Sequence, residues 1–178
     1  MTLDFSLPPE LQELQAKAKS VALEGVKEYG LYNDSWINGY SKEFSKVLAN
    51  EGWIGMTWPI EHGGGGRPGI ERMIVAEEMI RAGAPIAASW VADRQMGPSI
   101  CNYGNLEQQE RFLPGMLSGE TTWCIGMSEP NSGSDLASLT TSAVRDGNDY
   151  VLNGQKIWTS LAAISDYCYL IVRTANEG

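Results

Sequence analysis

Residues 127–135 read MSEPNSGSD and follow directly on TTWCIG at 121–126. The first run to form, TTWCIG, has the β-branched and aromatic texture of a strand. The second places an acid, a proline, small polar residues and another acid where a plain hairpin needs only Asn-Gly or Asp-Gly. The chain uses those simpler turns elsewhere, at Asp146-Gly147 and Asn153-Gly154. So much turn chemistry in one place implies a loop that positions something.

Upstream of it the apolar residues recur with helical period. Pro8-Pro9 opens a helix, since proline costs no hydrogen bond in a first turn, and Leu11, Leu14, Ala18, Val21, Ala22 and Val26 continue it until Gly30. A second helix fits Gly39 to Glu51, with Phe44, Val47 and Leu48 on one side and Gly52 as its stop. GWIGMTWPIEHGGGGRPG at 52–69 is too rich in Gly and Pro to be an element. Its glycines, Gly63 to Gly66, lack the Lys-Ser or Lys-Thr of a phosphate loop and read as a flexible connector. Ile70, Met73, Ile74, Glu77, Met79 and Ile80 predict a third helix. A helical region from Pro85 towards Asn102 is nearly uncharged apart from Asp93 and Arg94, as expected for a central element. Asn105 then caps a helix with Glu107 and Glu110 in its early turns, and Pro114 limits or kinks it.

Downstream the period becomes that of strands. Thr121–Met127, Thr140–Arg145, Tyr150–Leu152, Lys156–Thr159 and Tyr167–Arg173 are the expected strands. The boundary falls near residue 119, giving a helical domain over 1–118 and the start of a β domain over 119–178. About five strands in roughly 60 residues make a marginal core with an unpaired edge, so the natural protein is expected to continue. No internal repeat is present.

The length of 178 residues fits one or two domains. A hydrophobic fraction of 43% with 20% charged residues is that of a globular chain. The formal charge of −9 leaves no broad basic surface, which argues against nucleic acid as a partner. Cys101, Cys124 and Cys168 are odd in number and lack C-x-x-C spacing, so they read as buried reduced thiols with neither a disulfide framework nor a metal site. The N-terminal MTLDFSLPPELQELQ has no targeting pattern, and no apolar run reaches membrane-spanning length. The expected location is the cytoplasm, with no membrane span.

The usual catalysts are missing. His62 has no cysteine or second histidine near it in sequence and reads as a solvated loop residue. Glu129 and Asp135 could pair for acid–base work, but Pro130 fixes the backbone between them, and a structural role bonding backbone N–H groups is the stronger reading. What remains is a binding loop. Its Ser, Gly and Asn residues can present amides and hydroxyls as a nest for anionic or carbonyl oxygens. KIWTS at 156–160 adds Trp158 as an aromatic plane beside Thr159 and Ser160, although a lone Trp is more often core. Together they fit a planar heteroaromatic ligand with a phosphate tail.

CIGMSEPNSGSD at 124–135, followed after tight turns by YVLNGQKIWTS at 150–160, resembles the flavin-binding pattern of the acyl-CoA dehydrogenase family. GWIGMTWPIEHGGGG, IVAEEMIRAGAP, QMGPSI and YGNLEQQERFLPGMLSGE resemble the family's helical domain in the same order, so the resemblance covers essentially the whole chain and only the family's N-terminal half. It implies an α+β architecture: an all-α N-terminal domain, then the start of a β-barrel, with the family's C-terminal helical bundle absent from this sequence. Carried over by position, it implies FAD bound by Ile125, Gly126, Met127, Ser128, Ser134, Trp158, Thr159 and Ser160. Backbone amides near Met127 and Ser128 would meet the pyrimidine edge of the flavin, Trp158 would pack on the ring, and Ser160 would lie near N5. Ser134 would serve both the pyrophosphate and the CoA of the substrate. The family's base, a glutamate of the missing bundle, is expected beyond Gly178, so no residue here is assigned as catalytic. WTSLAA departs from the family's frequent Trp-Ile-Thr-Asn-Gly, with Leu161 and Ala162 at its last two places.

The implied reaction is α,β-dehydrogenation of an acyl-CoA thioester, with a homo- or hetero-oligomer of related subunits and an acceptor such as electron-transfer flavoprotein. An acyl-CoA oxidase or flavin monooxygenase of the same fold, and a non-catalytic assembly subunit, stay open as alternatives. Part of the acyl pocket is expected near Gln95 to Pro98.

Overall fold

The computed structural model describes residues 6–174, so residues 1–5 of the N-terminal stretch searched for a targeting pattern, and 175–178, lie outside it. It divides into two compact units, Met1–Thr122 and Trp123–Gly178. Among the described residues no helix is long and apolar enough to cross a membrane.

The first unit is helical: α1 (Pro9–Tyr29), α2 (Lys42–Asn50), α3 (Gly69–Ala82), α4 (Ala87–Val91), α5 (Gly97–Tyr103) and α6 (Leu106–Leu117). Helix α1 buries Ala18 and Ala22, one turn apart on the same face, and these small side chains let α3 approach closely. Helix α2 begins three residues later than expected. The Ser41 hydroxyl accepts the Phe44 N–H at 3.0 Å, which makes Ser41 the N-cap and leaves Gly39 and Tyr40 outside. Phe44, Leu48, Trp53, Met56, Val75, Met79 and Ile86 complete the buried cluster. Asn105 and Gln108 form a reciprocal capping box at the start of α6, and Pro114 lies within that helix.

Between α4 and α5, residues Ala92–Met96 form a π-helical stretch that joins them into one interrupted rod. Trp58 locks it: the indole N–H donates to the Asp93 carbonyl at 2.9 Å, and a Cβ on Gly97 would collide with the Trp58 ring. The run Gly63–Gly66, expected as a flexible connector, is instead stitched down. Gly64, Gly65 and Gly66 donate to the carbonyls of Pro59, Gly55 and Trp58 at 3.1, 3.0 and 2.9 Å. The glycines are there for close approach to backbone, which no composition rule reveals.

The second unit contains β1 (Trp123–Gly126), β2 (Ser142–Asp146), β3 (Asp149–Asn153) and β4 (Tyr167–Leu170). β1 and β4 run parallel, with Trp123 opposite Tyr167 and Gly126 opposite Leu170. β2 and β3 form an antiparallel hairpin turning at Gly147, whose φ is 62°. The fifth expected strand, Lys156–Thr159, is not one; the segment is a connector without regular secondary structure. β2 also starts later than expected, because the amides of Thr140 and Thr141 are already committed to Glu129. Of the cysteines, Cys101 and Cys124 are buried as expected, whereas Cys168, opposite Cys124 on β4, is exposed. The reading of all three as buried fails at Cys168 because all four residues of β4 stay at least partly exposed, whereas β1 buries three of its four.

Candidate functional site

The loop after β1 is organised around Glu129. Its N–H donates to the Ser132 carbonyl at 2.7 Å and its own carbonyl accepts the Ser132 N–H at 3.1 Å, so Pro130 and Asn131 form the tip of a tight turn. The Glu129 carboxylate is buried and fully used. Oε2 accepts the Thr140 amide at 2.7 Å and the Thr140 hydroxyl at 2.8 Å; Oε1 accepts the Thr141 amide at 2.8 Å and the Lys156 ammonium at 2.9 Å. The Thr141 side chain, the Thr140 amide, Lys156 and the Thr141 amide hold this carboxyl far below the usual carboxylate range, against the opposing cost of burial. A carboxylate so engaged is a structural anion. Asp135 plays a different part: its carbonyl accepts the Ser132 and Ser138 hydroxyls, each at 2.8 Å, while the residue itself is exposed.

Lys156 joins the two motif segments. Besides Glu129 it donates to the Met127 carbonyl at 2.9 Å, and the next amide, Ile157 N–H, donates to the Ser128 carbonyl at 2.9 Å. Gly126 lets this happen, since a Cβ there would stand 3.3 Å from Lys156 Cγ and 2.5 Å from Leu170 Cδ2. Residues 125–128 and 156–159 therefore lie side by side. Sequence reasoning gave Lys156 no role; its signal was its place in NGQKIW at 153–158.

At the end of this connector the backbone turns. Trp158 has φ 58° and Leu161 φ 67°, a left-handed conformation unusual for bulky side chains. The turn closes with Ser160 N–H on the Trp158 carbonyl at 3.0 Å and Ser165 N–H on the Leu161 carbonyl at 3.0 Å. Its result is an indole 87% exposed, so Trp158 is no core residue of the described chain. The Thr159 hydroxyl oxygen is buried without a hydrogen-bond partner. Met127 and Ile125 border the same stretch, exposed and half-buried. Ser128, Ser134 and Ser160 hydroxyls make no hydrogen bond among the described residues. Ser134 is exposed, and among the described residues no hydrogen bond ties it to the Trp158 segment.

An exposed aromatic plane, an orphaned buried hydroxyl and free serine donors fit a flat, polar-edged group such as the flavin of FAD. Of the residues expected to hold it, Ile125, Gly126, Met127, Ser128, Trp158 and Thr159 fall in the two adjoining segments, Ser160 in the turn that follows and Ser134 in the loop. Among the described residues no group of three or more His, Cys, Asp or Glu could hold a metal ion.

Comparison with known proteins agrees across both units. The acyl-CoA dehydrogenase N-terminal domain matches residues 8–120 and the acyl-CoA dehydrogenase middle domain matches residues 124–178. The chain is 39% identical to acyl-CoA dehydrogenase FadE26 of Mycobacterium tuberculosis, over 97% of this chain and 44% of that protein. Among solved structures it is similar to the Tcur3481-Tcur3483 steroid ACAD, with TM-score 0.88 and 38% identity over 99% of this chain and 46% of that one. It is similar too to the ChsE4-ChsE5 complex from Mycobacterium tuberculosis, with TM-score 0.85 and 37% identity over 98% and 45%. The chain thus spans about half the length of the relatives it matches. Helices followed by the first strands, in the order these two domains require, make it the N-terminal helical domain and the start of the middle β domain of a protein of the acyl-CoA dehydrogenase family.

Proposed function

We propose that this chain supplies the first part of the flavin site of an FAD-dependent enzyme that dehydrogenates an acyl-CoA thioester between its α and β carbons. The observation that carries this reading is Trp158, held in a left-handed turn with its indole in solvent, beside the segment that Lys156 and Ile157 tie to Met127 and Ser128. A chain accepts such backbone strain where it positions a group for use. FAD would supply the two-electron acceptor for hydride leaving the β-carbon. Amides at Met127 and Ser128 would hold the pyrimidine edge, and Ile125 and Gly126 would line it. Trp158 would cover the ring and exclude water from it, with the Thr159 hydroxyl finding its partner there. The Ser160 hydroxyl would donate to the ring atom on which negative charge develops. Ser134 would bind the pyrophosphate and the CoA. None of the described residues is assigned the α-proton: Glu129, the one buried carboxylate among the described residues of the β unit, is spent on four donors.

The relatives support an assembly of related subunits, since one similar structure is a complex of two differently named chains. An electron-transfer flavoprotein as acceptor and a cytoplasmic location complete the proposal. The test is made in the full-length protein by measuring FAD dissociation and, anaerobically, bleaching of the flavin by acyl-CoA thioesters. Trp158→Ala should weaken FAD retention by about threefold to tenfold, the worth of lost aromatic packing, at unchanged melting temperature with FAD in excess. Unchanged FAD affinity with a collapsed melting temperature would sink the proposal.

A further inference from the structure

The helical unit contains a second place with chemistry to offer. Helix α3 and the interrupted rod from Ala87 to Tyr103 enclose a cavity of about 40 Å³ lined by apolar residues such as Met56, Val75 and Met79, and by Arg72, Asp93 and Arg94. That is room for a group little larger than a water. A groove of about 460 Å³ adjoins it, lined by Met73, Ala76 and Ile80 and again by Arg72 and Arg94. This volume is in the range of small-molecule sites, about 300–1,000 Å³. Met73 and Ile80 are 54% and 40% exposed, so the groove offers apolar surface to whatever enters it.

Arg94 is under-used. Its guanidinium lies 3.9 Å over the Trp90 ring, which fixes its plane, and its Nε is buried with no hydrogen-bond partner. Among the described residues it forms no ion pair. Its neighbour Asp93 has its carboxylate on the Gly55 amide at 2.7 Å, and Glu77 at the groove is paired with Arg81 at 2.5 Å. Arg72 donates to the Thr57 hydroxyl at 3.1 Å and likewise has no ion pair among the described residues. Burial pushes the Arg94 guanidinium down from its ordinary value, Asp93 opposes that and Arg72 adds to it. Arg72 and Arg94 thus line both the cavity and the groove, and the buried Asp93 carboxylate lines the cavity alone. Buried charge is normally paired, and a guanidinium held in a plane presents a fork that matches a carboxylate. The π-helical turn contributes by directing Asp93 and Arg94, consecutive in sequence, to one cavity.

We propose that Arg94, backed by Arg72, is the anion-holding end of a site for a carboxylate carried on an apolar chain, with the chain lying along Met73, Ala76 and Ile80. The site lies wholly in the helical unit and does not rest on the flavin reading. A free alkyl carboxylate and an acyl thioester ending in a second carboxylate present the same chemistry. Calorimetric titration of the protein with octanoate, octanol and octylammonium, and with the mono-CoA thioester of octanedioic acid against octanoyl-CoA, separates these sources. The expected result is binding of octanoate, or of the octanedioic thioester in preference to octanoyl-CoA, with the uncharged or cationic partner at least about tenfold weaker. Arg94→Met should remove about tenfold or more of that affinity and Arg72→Met less, with helical circular dichroism unchanged. If Arg94→Met fails to fold, Arg94→Lys, which keeps the charge and loses the fork, should still weaken binding several-fold. Binding of octanoate alone identifies a free acid; binding of the octanedioic thioester alone identifies the far end of a thioester. Equal affinity for octanoate and octanol, carboxylate binding unaffected at Arg94, or no binding of either carboxylate probe would overturn the proposal.

Discussion

Asp93 in the helical unit and Glu129 in the β unit are both buried acids, and the chain treats them oppositely. Asp93 has one backbone donor for its carboxylate, the Gly55 amide, and burial pushes its pKa up, with that amide, Arg94 and Arg72 opposing. Glu129 collects four donors, and its carboxyl is held far down. The same division runs through the backbone. Left-handed positions of the helical unit are taken by glycines such as Gly52, Gly55 and Gly83, whereas the β unit puts Trp158 and Leu161 in that conformation. The helical unit rests on apolar packing and spares its backbone strain. The β unit, with a small core of Trp123, Cys124, Leu139 and Ala143, leans on one ionic hub to hold a strained loop in place.

Breaking the hub is the sharpest way to test this contrast. Glu129→Gln and Lys156→Met should each give the largest loss of stability of any single change considered, confined to the β unit, and the double variant should lose less than the sum. Proteolysis between residues 127 and 160, followed by mass spectrometry, is the measurement. Additive losses would mean that the two side chains act separately.

Acid should separate the units next. Glu129 has a folded pKa below its unfolded value of about 4.3, so its contribution is present above that pH and is lost as pH falls below it. Asp93 has a folded pKa above its unfolded value of about 3.9, so between those two values protonation favours the folded form and its penalty eases as pH falls. Amide exchange, corrected for intrinsic rate and compared at about pH 6 and pH 3.5, should show protection at Thr140 and Thr141 beginning to fall while protection at Gly55 holds. Simultaneous loss would contradict the comparison.

The reading of these residues from sequence shows where local pattern suffices. The helices were legible because Ala18, Phe44, Ile74 and Met79 bury faces that repeat every three or four residues, and Asn105 announced its cap, although Ile70, Met73 and Ile80 of the expected third-helix flank are exposed. The Lys156–Thr159 strand was misread because its side-chain texture is that of a strand. What decides its conformation is the Lys156 ammonium reaching 29 residues back to the Met127 carbonyl, a tertiary bond with no local signature. Thr140 and Thr141 were lost to β2 for the same reason. Of the binding segments, the motif itself was visible; the ion pair that aligns them was not.

Two smaller effects refine the picture. Asp93→Asn keeps an acceptor for the Gly55 amide while removing a charge that burial disfavours, so the helical unit should change by no more than about 1 kcal/mol at neutral pH. Denaturant unfolding followed by far-ultraviolet circular dichroism measures it; a loss of several times that size would make Asp93 a hub like Glu129. Leu161→Asn places at φ 67° a residue that tolerates the left-handed region, and should stabilise the β unit by about 0.5 kcal/mol. A shift of the urea midpoint to lower concentration would show that the Leu161 side chain contributes more than its backbone costs.

The parallel pairing of Trp123–Gly126 with Tyr167–Leu170 also sets a timetable. During synthesis every helix of the first unit leaves the ribosome before the β1 edge has its partner, and the 40 residues 127–166 must follow β1 before Tyr167 can close on Trp123. Closing a long loop precedes any reward from the pairing, which slows folding. The apolar edge of β1 thus stays open to chaperones and wrong partners while those residues are made, and the hairpin of β2 and β3, formed locally in the interval, shortens the loop that remains to be closed.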